Sequence, residues 1–328
     1  MKAFVIACLF PAAILTLAPA WSWSAGQSTD DQAHQSRPKI GLALSGGGAR
    51  GAAHIGVIRE LERLRVPIDY IAGTSMGAIV GGLYASGLSP DDLETILVEI
   101  DWDDIFRDRP DREHLSRRRK FDDTVFQVNK SVGVGLGGLK GTTGFVQGRK
   151  LELLLERVTA PVRDIEHFDD LPIPFRAVAA NIVSGAEVVL EQGNLPAAIR
   201  ASMSVPGLLV RVEIDGRLLV DGGMANNLPI DVVRRMGADV VIAVDISTPL
   251  QGEDELGSTF AIAAQLSGFL TRQNTEKQIA TLTDKDVFMV PELGDIATAS
   301  FTRAGEAVAI GQAAAVAATE SLRRYELT

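Results

Sequence analysis

The chain has 328 residues, of which 46% are hydrophobic, with 42 acidic and 32 basic side chains, four histidines and one cysteine. The formal net charge of −10 argues against a nucleic-acid-binding protein, because such proteins need a basic surface to neutralise phosphates. A single cysteine excludes a disulfide framework, a thiolate zinc site and a cysteine-ligated cluster. The hydrophobic content is sufficient for a large buried core.

The first 25 residues have the layout of an export signal. Lys2 is their only charged residue, and an apolar run continues to Ala18 and ends in small residues near Ala25. A positive start, an apolar centre and a small-residue cleavage region are typical of a secretory signal peptide. We therefore predict a signal peptide over residues 1–25, a polar linker over 26–38, and an exported protein, periplasmic or secreted, that can associate with a membrane. An uncleaved membrane anchor is the alternative.

Short apolar segments alternate with amphipathic segments through the rest of the chain. The predicted strands are Ile40–Ser45, Ile68–Ala72, Phe175–Asn181 and Val240–Asp245, and the predicted helices are Ala52–Leu64, Met76–Ala85 and Pro229–Met236. Two Ala-rich segments, Ser258–Leu282 and Thr298–Tyr325, are predicted to form covering helices. This alternation predicts one α/β domain over residues 39–328, a three-layer α/β/α structure with a mainly parallel central sheet.

A glycine-rich loop, Ser45–Gly51, lies between the first predicted strand and the first predicted helix. Glycines allow a sharp turn that directs several backbone N–H groups into one concavity, and the following helix adds the positive end of its dipole. Such a loop suits an anion. Gly46, Gly48 and Gly51 also fit G-x-G-x-x-G, so a nucleotide-binding loop and a tight structural turn remain alternatives. A dinucleotide site, however, needs an acidic residue at the end of the next strand, and Asp69 stands at its start.

Ser75 occupies the centre of a G-x-S-x-G motif, between Gly73 and Gly77. The motif directly follows a predicted strand and directly precedes a predicted helix. In that setting it is typical of a nucleophile elbow, in which a tight turn holds the serine hydroxyl above the sheet. A structural serine at a helix start is the alternative.

The order of possible proton acceptors along the chain argues against a Ser-His-Asp triad. An α/β-hydrolase presents serine, then an acid, then histidine, whereas the last histidine here, His167, precedes the distinctive turn that begins at Asp221. His54 lies within a predicted helix, where we expect a packed imidazole. A carboxylate partner for Ser75 fits better. Asp221 is the candidate, and a simple Asp-Gly turn or competition from Asp245 are the alternatives.

Together these motifs resemble the patatin-like phospholipase family, specifically its bacterial branch related to neuropathy target esterase. The resemblance rests on Gly46–Gly51, Gly73–Gly77, Ala201–Gly207, Asp221–Gly223 and Asn226–Pro229. It covers roughly residues 39–246 and weakens in the C-terminal helices. It implies a patatin-like fold and a serine lipid acyl hydrolase, that is, a phospholipase A, a lysophospholipase or an esterase.

The resemblance also implies roles for the central residues. Ser75 and Asp221 would form a Ser-Asp dyad that works through an acyl-enzyme. Backbone N–H groups of Gly46, Gly47 and Gly48 would form the oxyanion hole. The implied substrate is a phospholipid or lysophospholipid, and neither a cofactor nor a metal is implied.

The remaining matched residues would support this machinery. Arg50 and Gly51 belong to the supporting loop, and Gly73 and Gly77 to the nucleophile elbow. An acyltransferase would use the same residues as a hydrolase. A nucleotide-binding module that uses Gly46–Gly51 is the alternative from another functional class.

Residues 101–148 form the least regular part of the sequence. Within them, residues 107–120 carry seven basic and three acidic side chains, which is a positive exception in an acidic protein. A lid that contacts anionic lipid through Arg117, Arg118 and Arg119 is one interpretation, and a solvated loop is the other. The sequence does not indicate an oligomeric state.

Overall fold

The computed structural model describes residues 37–106, 132–135, 138–141, 144–250, 252 and 259–327. The predicted signal peptide, most of the predicted linker and the basic segment at 107–120 lie outside these ranges. Pro38–Thr328 forms one compact unit. Among the helices described, none combines the length and the apolar character that crossing a bilayer requires.

The secondary structure alternates between strands and helices, as predicted. The strands are β1 Ile40–Leu44, β2 Tyr70–Thr74, β3 Val132–Gly135, β4 Gly138–Gly141, β5 Gly144–Val146, β6 Phe175–Asn181, β7 Glu187–Leu190, β8 Gly207–Leu209, β9 Val212–Ile214, β10 Arg217–Asp221, β11 Val240–Val244 and β12 Val287–Met289. The helices are α1 Ala53–Arg63, α2 Met76–Ala85, α3 Pro90–Glu99, α4 Trp102–Ile105, α5 Arg149–Val158, α6 Leu195–Ser202, α7 Ile230–Arg235, α8 Thr259–Ile279, α9 Ala304–Ala317 and α10 Thr319–Leu322.

The central sheet is mixed but mainly parallel. In the described part of the chain it has eight strands in the order β12-β11-β1-β2-β6-β10-β9, and β7 also pairs with β6. The five strands β12, β11, β1, β2 and β6 run parallel, whereas β7, β9 and β10 pair antiparallel to their neighbours. The predicted α/β class with a mainly parallel sheet is therefore confirmed.

Alternate side chains of the central strands enter two separate hydrophobic clusters. Leu42 and Leu44 of β1 pack in the cluster that contains the buried residues of α1 and α2. Ala43, between them, packs in the second cluster together with Val232 and Val233 of α7. Because strand side chains point alternately to the two faces of a sheet, the two clusters establish helical layers on both faces.

Strand β6 aligns two other strands end to end. β7 pairs with Ala177–Ala180 and so occupies one edge of β6. The other edge is shared by β2, whose Thr74 lies opposite Val178, and β10, whose Asp221 lies opposite Ala179. Since β2 is parallel and β10 antiparallel to β6, their carboxyl ends meet at neighbouring positions.

Helices α1 and α9 approach each other closely beside the glycine loop. A Cβ atom on Gly311 of α9 would lie 1.9 Å from the carbonyl oxygen of Ala53, and one on Gly56 of α1 would lie 2.0 Å from that of Val308. Neither contact is possible for a real side chain, so the two backbones can touch only where both residues are glycine. This crossing fixes α1, whose N-terminus follows the glycine loop.

We predict that Gly311→Ala lowers the free energy of unfolding by about 2 kcal/mol, because the added methyl group must separate the two helices. Gly305→Ala in the same helix is the matched control. A Cβ there meets no atom within 4 Å, and alanine favours helix by up to ~1 kcal/mol. Urea unfolding of both variants measures the difference. Equal stabilities would contradict the close helix crossing.

Candidate active site

The turn between β2 and α2 holds Ser75 in an unusual backbone conformation. Ser75 has φ 56° and ψ −120°, a region that non-glycine residues adopt at a cost of roughly 1–3 kcal/mol. The chain has little freedom on either side. A Cβ on Gly73 would lie 2.3 Å from the Gly77 carbonyl oxygen, and a Cβ on Gly77 would lie 2.3 Å from that of Leu44. The G-x-S-x-G spacing thus corresponds to a sterically enforced elbow.

Ser202 at the end of α6 secures this elbow. Its Oγ accepts the Ser75 N–H at 2.9 Å and donates to the carbonyl oxygen of Val178 at 2.5 Å. Ser202 is fully buried, so both hydrogen bonds are protected from water. The backbone of Ser75 is therefore held to β6, the strand that also pairs with Asp221.

Asp221 ends β10 beside this elbow. Its N–H donates to the Ser204 carbonyl oxygen at 2.9 Å, and its Oδ1 accepts the Gly223 N–H at 2.8 Å. Oδ2 is buried and has no hydrogen-bond partner of normal length among the described residues. An unpaired, buried carboxylate oxygen beside a serine hydroxyl is an available proton acceptor.

The environment of Asp221 changes its acidity. Burial raises the pKa of its carboxyl from 3.8 to about 6, because the charged form loses its hydration. The neighbouring Ser75 hydroxyl and the Gly223 N–H oppose the rise in pKa, since both stabilise the negative charge. The carboxylate is therefore mostly ionised at neutral pH yet more basic than an exposed aspartate.

The glycine loop lies against Ser75 and presents two available donors. A Cβ on Gly46 would be 2.9 Å from the Ser75 Cβ. Within the described residues, the N–H groups of Gly47 and Gly48 have no hydrogen-bond partner, whereas the next N–H, that of Ala49, donates to Thr298 at 2.8 Å. Gly47 and Gly48 are therefore free to receive an anion.

The N–H of Gly46, which was expected to be an oxyanion-hole donor, is hydrogen-bonded within the protein. Its N–H donates to Asn227, at 3.2 Å to Oδ1 and 3.3 Å to the carbonyl oxygen. Asn227 Nδ2 in turn donates to the Gly46 carbonyl oxygen at 3.3 Å and to Ser247 Oγ at 2.9 Å. Gly46 therefore attaches the loop to Asn227, whereas the N–H groups of Gly47 and Gly48 make no such bond among the described residues.

Arg50 and Gly51 support the loop from behind. The buried Arg50 guanidinium donates to the carbonyl oxygens of Ile246 at 3.0 Å and Ile296 at 2.9 Å. A Cβ on Gly51 would be 2.0 Å from Met76 Cγ, so the loop packs directly on the first residue of α2. Arg50 is thus a brace between chain segments, with both hydrogen bonds made to the backbone.

The alternative titratable groups are engaged elsewhere. Asp245 accepts hydrogen bonds from the Ser247 N–H and hydroxyl. His54 is fully buried, as predicted, and its Nε2 lies 2.8 Å from the Ser45 carbonyl oxygen. Burial lowers the pKa of His54 to about 4, which keeps the ring neutral. The backbone of His167 pairs with that of Gln192 in an isolated antiparallel β-bridge.

Three positioning residues were not assigned a role from the sequence. Ser202 and Asn227 belong to motifs that carry the family resemblance, but no role followed from the sequence for either residue. Asn274 on α8 lies in none of those motifs. Asn274 Nδ2 donates to the Gly223 carbonyl oxygen and its Oδ1 accepts the Asn227 N–H, both at 2.8 Å. The two adjacent asparagines after Asp221-Gly222-Gly223 were the available signal, but their partners come from distant parts of the chain.

We predict that Asp221→Asn raises thermal stability at about pH 7.5. The pKa of Asp221 in the folded state lies above its ordinary value of 3.8. The folded state therefore loses stability as the pH rises from about 4 to about 6. The amide of asparagine cannot ionise and removes this loss, which is at most about 3 kcal/mol. The gain should vanish below about pH 4. Asp286→Asn is the control of opposite sign. Burial alone would raise the pKa of Asp286, but hydrogen bonds from Val241 and Thr283 and the charge of Arg234 together outweigh burial and lower that pKa. Thermal unfolding across this pH range measures the effect. A lower melting temperature for Asp221→Asn than for the native protein at pH 7.5 would contradict the raised pKa of Asp221.

Comparison with known proteins identifies relatives of this chain. A family model described as patatin-like phospholipase matches residues 42–234, more than half of the chain. An uncharacterized NTE family protein of Mycobacterium tuberculosis is 35% identical over 212 residues, which are 65% of this chain and 50% of that protein. Patatin-like phospholipase domain-containing protein 6 of Homo sapiens is 34% identical over 221 residues, 67% of this chain and 14% of that protein.

Lysophospholipase NTE1 of Debaryomyces hansenii is 28% identical over 315 residues, 89% of this chain and 18% of that protein. Among solved structures, VipD from Legionella pneumophila has a TM-score of 0.45 at 14% identity, over 88% of this chain and 67% of that chain. The chain spans half or less of the length of the curated relatives it matches. By the extent of the family match, the chain belongs to the patatin-like phospholipase family.

Proposed function

We propose that the protein is a serine lipid acyl hydrolase with Ser75 as nucleophile and Asp221 as general base. The observation that carries the proposal is the meeting of β2 and β10, which brings an elbow serine beside a buried carboxylate with an unpaired oxygen. Membership of the patatin-like phospholipase family and similarity to a protein named lysophospholipase support an ester of a phospholipid or lysophospholipid as the substrate.

The proposed reaction begins with acyl transfer to the enzyme. Asp221 Oδ2 accepts the Ser75 proton while Oγ attacks the ester carbonyl, and the N–H groups of Gly47 and Gly48 bind the oxyanion. The intermediate then expels the alcohol, which takes the proton from Asp221. In the second half-reaction Asp221 accepts a proton from water while that water attacks the acyl-enzyme carbonyl. The intermediate then expels Ser75 Oγ, which takes the proton back from Asp221, and the fatty acid is released. Loss of one oxyanion donor costs about 10²–10³ in rate in other enzymes.

The alternatives from the sequence differ in what supports them. Acyl transfer to an alcohol other than water would use the same first half-reaction. Nucleotide binding has less support, because the Gly46 N–H is used by Asn227 and Asp69 accepts hydrogen bonds from Lys39 Nζ and the Ile40 N–H at the start of the sheet.

Export through residues 1–25 and lipid contact through Arg117, Arg118 and Arg119 stay predictions, since these residues lie outside the described part of the chain.

The direct test is covalent labelling with a fluorophosphonate. We expect one adduct at Ser75, detected by intact-mass and peptide mass spectrometry, and none in Ser75→Ala, which should also lose hydrolysis of a chromogenic acyl ester. Asp221→Asn should label much more slowly because the serine loses its base. Ser184→Ala, at an exposed turn, is the control and should label normally. Retained turnover by Ser75→Ala would contradict the proposal, and nucleotide-dependent thermal stabilisation without labelling would favour the nucleotide module.

Ser202 is expected to act as a positioning residue for Ser75. Ser202→Ala removes the acceptor of the Ser75 N–H and the donor to Val178, so the strained elbow should be less populated and kcat should fall by roughly fivefold to a hundredfold. Since Ser202 does not reach the substrate carbonyl in the proposed mechanism, KM should change little. Ser86→Ala is the matched control, because its buried hydroxyl also donates to a backbone carbonyl oxygen, that of Leu83. Equal kcat values for both variants would show that the Ser202 hydrogen bonds do not position Ser75.

A further inference from the structure

Helix α8 exposes an apolar stripe over its first turns. The side chains of Ile262, Leu266, Phe269 and Leu270 are 50%, 57%, 48% and 51% exposed. Positions spaced three, four and eight apart lie on one face of a helix, so the four side chains form a continuous surface, hereafter the α8 stripe. Scattered exposed apolar residues need no explanation, but a contiguous stripe indicates an interaction surface.

The α8 stripe belongs to a helix that also contacts the turn after Asp221. Asn274, one turn after Leu270, donates to the Gly223 carbonyl oxygen and accepts the Asn227 N–H. Thr271 Oγ1 lies 3.7 Å from the position of a Cβ on Gly223. Helix α8 therefore holds the turn that follows Asp221 through Asn274, while the apolar side chains of the α8 stripe remain about half exposed in the described part of the chain.

A second pair of exposed apolar side chains adjoins Asp221 through another segment. Val205 and Leu208 are 39% and 37% exposed, and they follow Ser204, whose carbonyl oxygen accepts the Asp221 N–H. Ser75 itself is only 7% exposed. An ester must therefore pass from its lipid environment into a recessed site that has apolar segments beside it.

We infer that the α8 stripe is the surface by which the protein docks on a lipid layer. The choice of partner rests on the proposed function, because the proposed substrate resides in such a layer. Residues 259–271 contain no charged side chain, so the stripe suits the apolar side of a lipid interface. Docking there would place the Asp221 turn, which α8 holds, next to the lipid.

The extent of the stripe favours a lipid layer over a second copy of the chain. Four half-exposed side chains present roughly a few hundred Å² of apolar surface, well short of the ~800 Å² per partner in a standard protein interface. Partial insertion into a lipid layer has no such requirement, because each buried CH₂ group contributes ~0.8 kcal/mol by itself.

A local fluorescence probe tests the docking at the stripe itself. The full chain with Ser75→Ala, which leaves vesicles intact, carries Cys8→Ser and Leu266→Cys, and an environment-sensitive fluorophore is attached at position 266. Cys8 is the only native cysteine, so labelling is specific. We expect a blue shift on addition of phosphatidylcholine vesicles, which persists at high salt. The matched control is Val316→Cys on α9, also 49% exposed, which should not shift.

A functional comparison completes the test in the chain with native Ser75. Leu266→Gln combined with Leu270→Gln should lower hydrolysis of phosphatidylcholine in vesicles by roughly tenfold or more, while turnover of a water-soluble short-chain ester stays unchanged. Val98→Gln combined with Val316→Gln, both 49% exposed, should change neither rate by more than about twofold. Glutamine keeps the helix propensity high.

Three results would overturn the inference. The first is a probe at position 266 that does not respond to vesicles. The second is equal vesicle hydrolysis by the Leu266→Gln, Leu270→Gln variant and by the Val98→Gln, Val316→Gln variant. The third is a concentration-dependent dimer, measured by analytical ultracentrifugation, that the Leu266→Gln, Leu270→Gln substitutions abolish. Failure of the proposed function is distinguishable, because it would remove soluble-ester turnover and fluorophosphonate labelling while the blue shift at position 266 persisted.

Discussion

The candidate site depends on the way β6 aligns two strands along one of its edges. β7 occupies the other edge, so the parallel β2 and the antiparallel β10 can only meet end to end. Their meeting puts Ser75, which follows Thr74, next to Asp221, which ends β10. Two residues far apart in the sequence therefore become neighbours through backbone pairing, before any side-chain contact between them is considered.

The surrounding hydrogen bonds convert this proximity into a rigid unit. Thr74 Oγ1 donates to the Asn226 carbonyl oxygen at 2.8 Å, which connects the elbow to the chain after Asp221. Asn227 connects that same segment to Gly46 and Ser247. Ser75, Asp221 and the glycine loop are thus connected through one network of buried polar groups.

The sequence predicted those features that depend on local pattern. Met76–Ala85 and Phe175–Asn181 occur with the predicted bounds, because their apolar patterns are interrupted by Gly87 after the helix and by Pro174 before the strand. The strand predicted at Ile68–Ala72 instead runs from Tyr70 to Thr74. Its register is set by pairing with β6, and its start is displaced because the Asp69 side chain accepts the N–H of Ile40, the first residue of the preceding strand.

The sequence did not predict the acidities of the buried groups, because these depend on burial by distant segments of the chain. Burial acts in opposite directions on the two kinds of titratable group near the glycine loop, raising the pKa of Asp221 to about 6 and lowering that of His54 to about 4. In so enclosed a site a histidine loses proton affinity, whereas a carboxylate gains it. A buried aspartate is therefore the side chain that becomes a better base on removal from water, and this is a physical reason for the proposed Ser-Asp pairing that chain order alone could not supply.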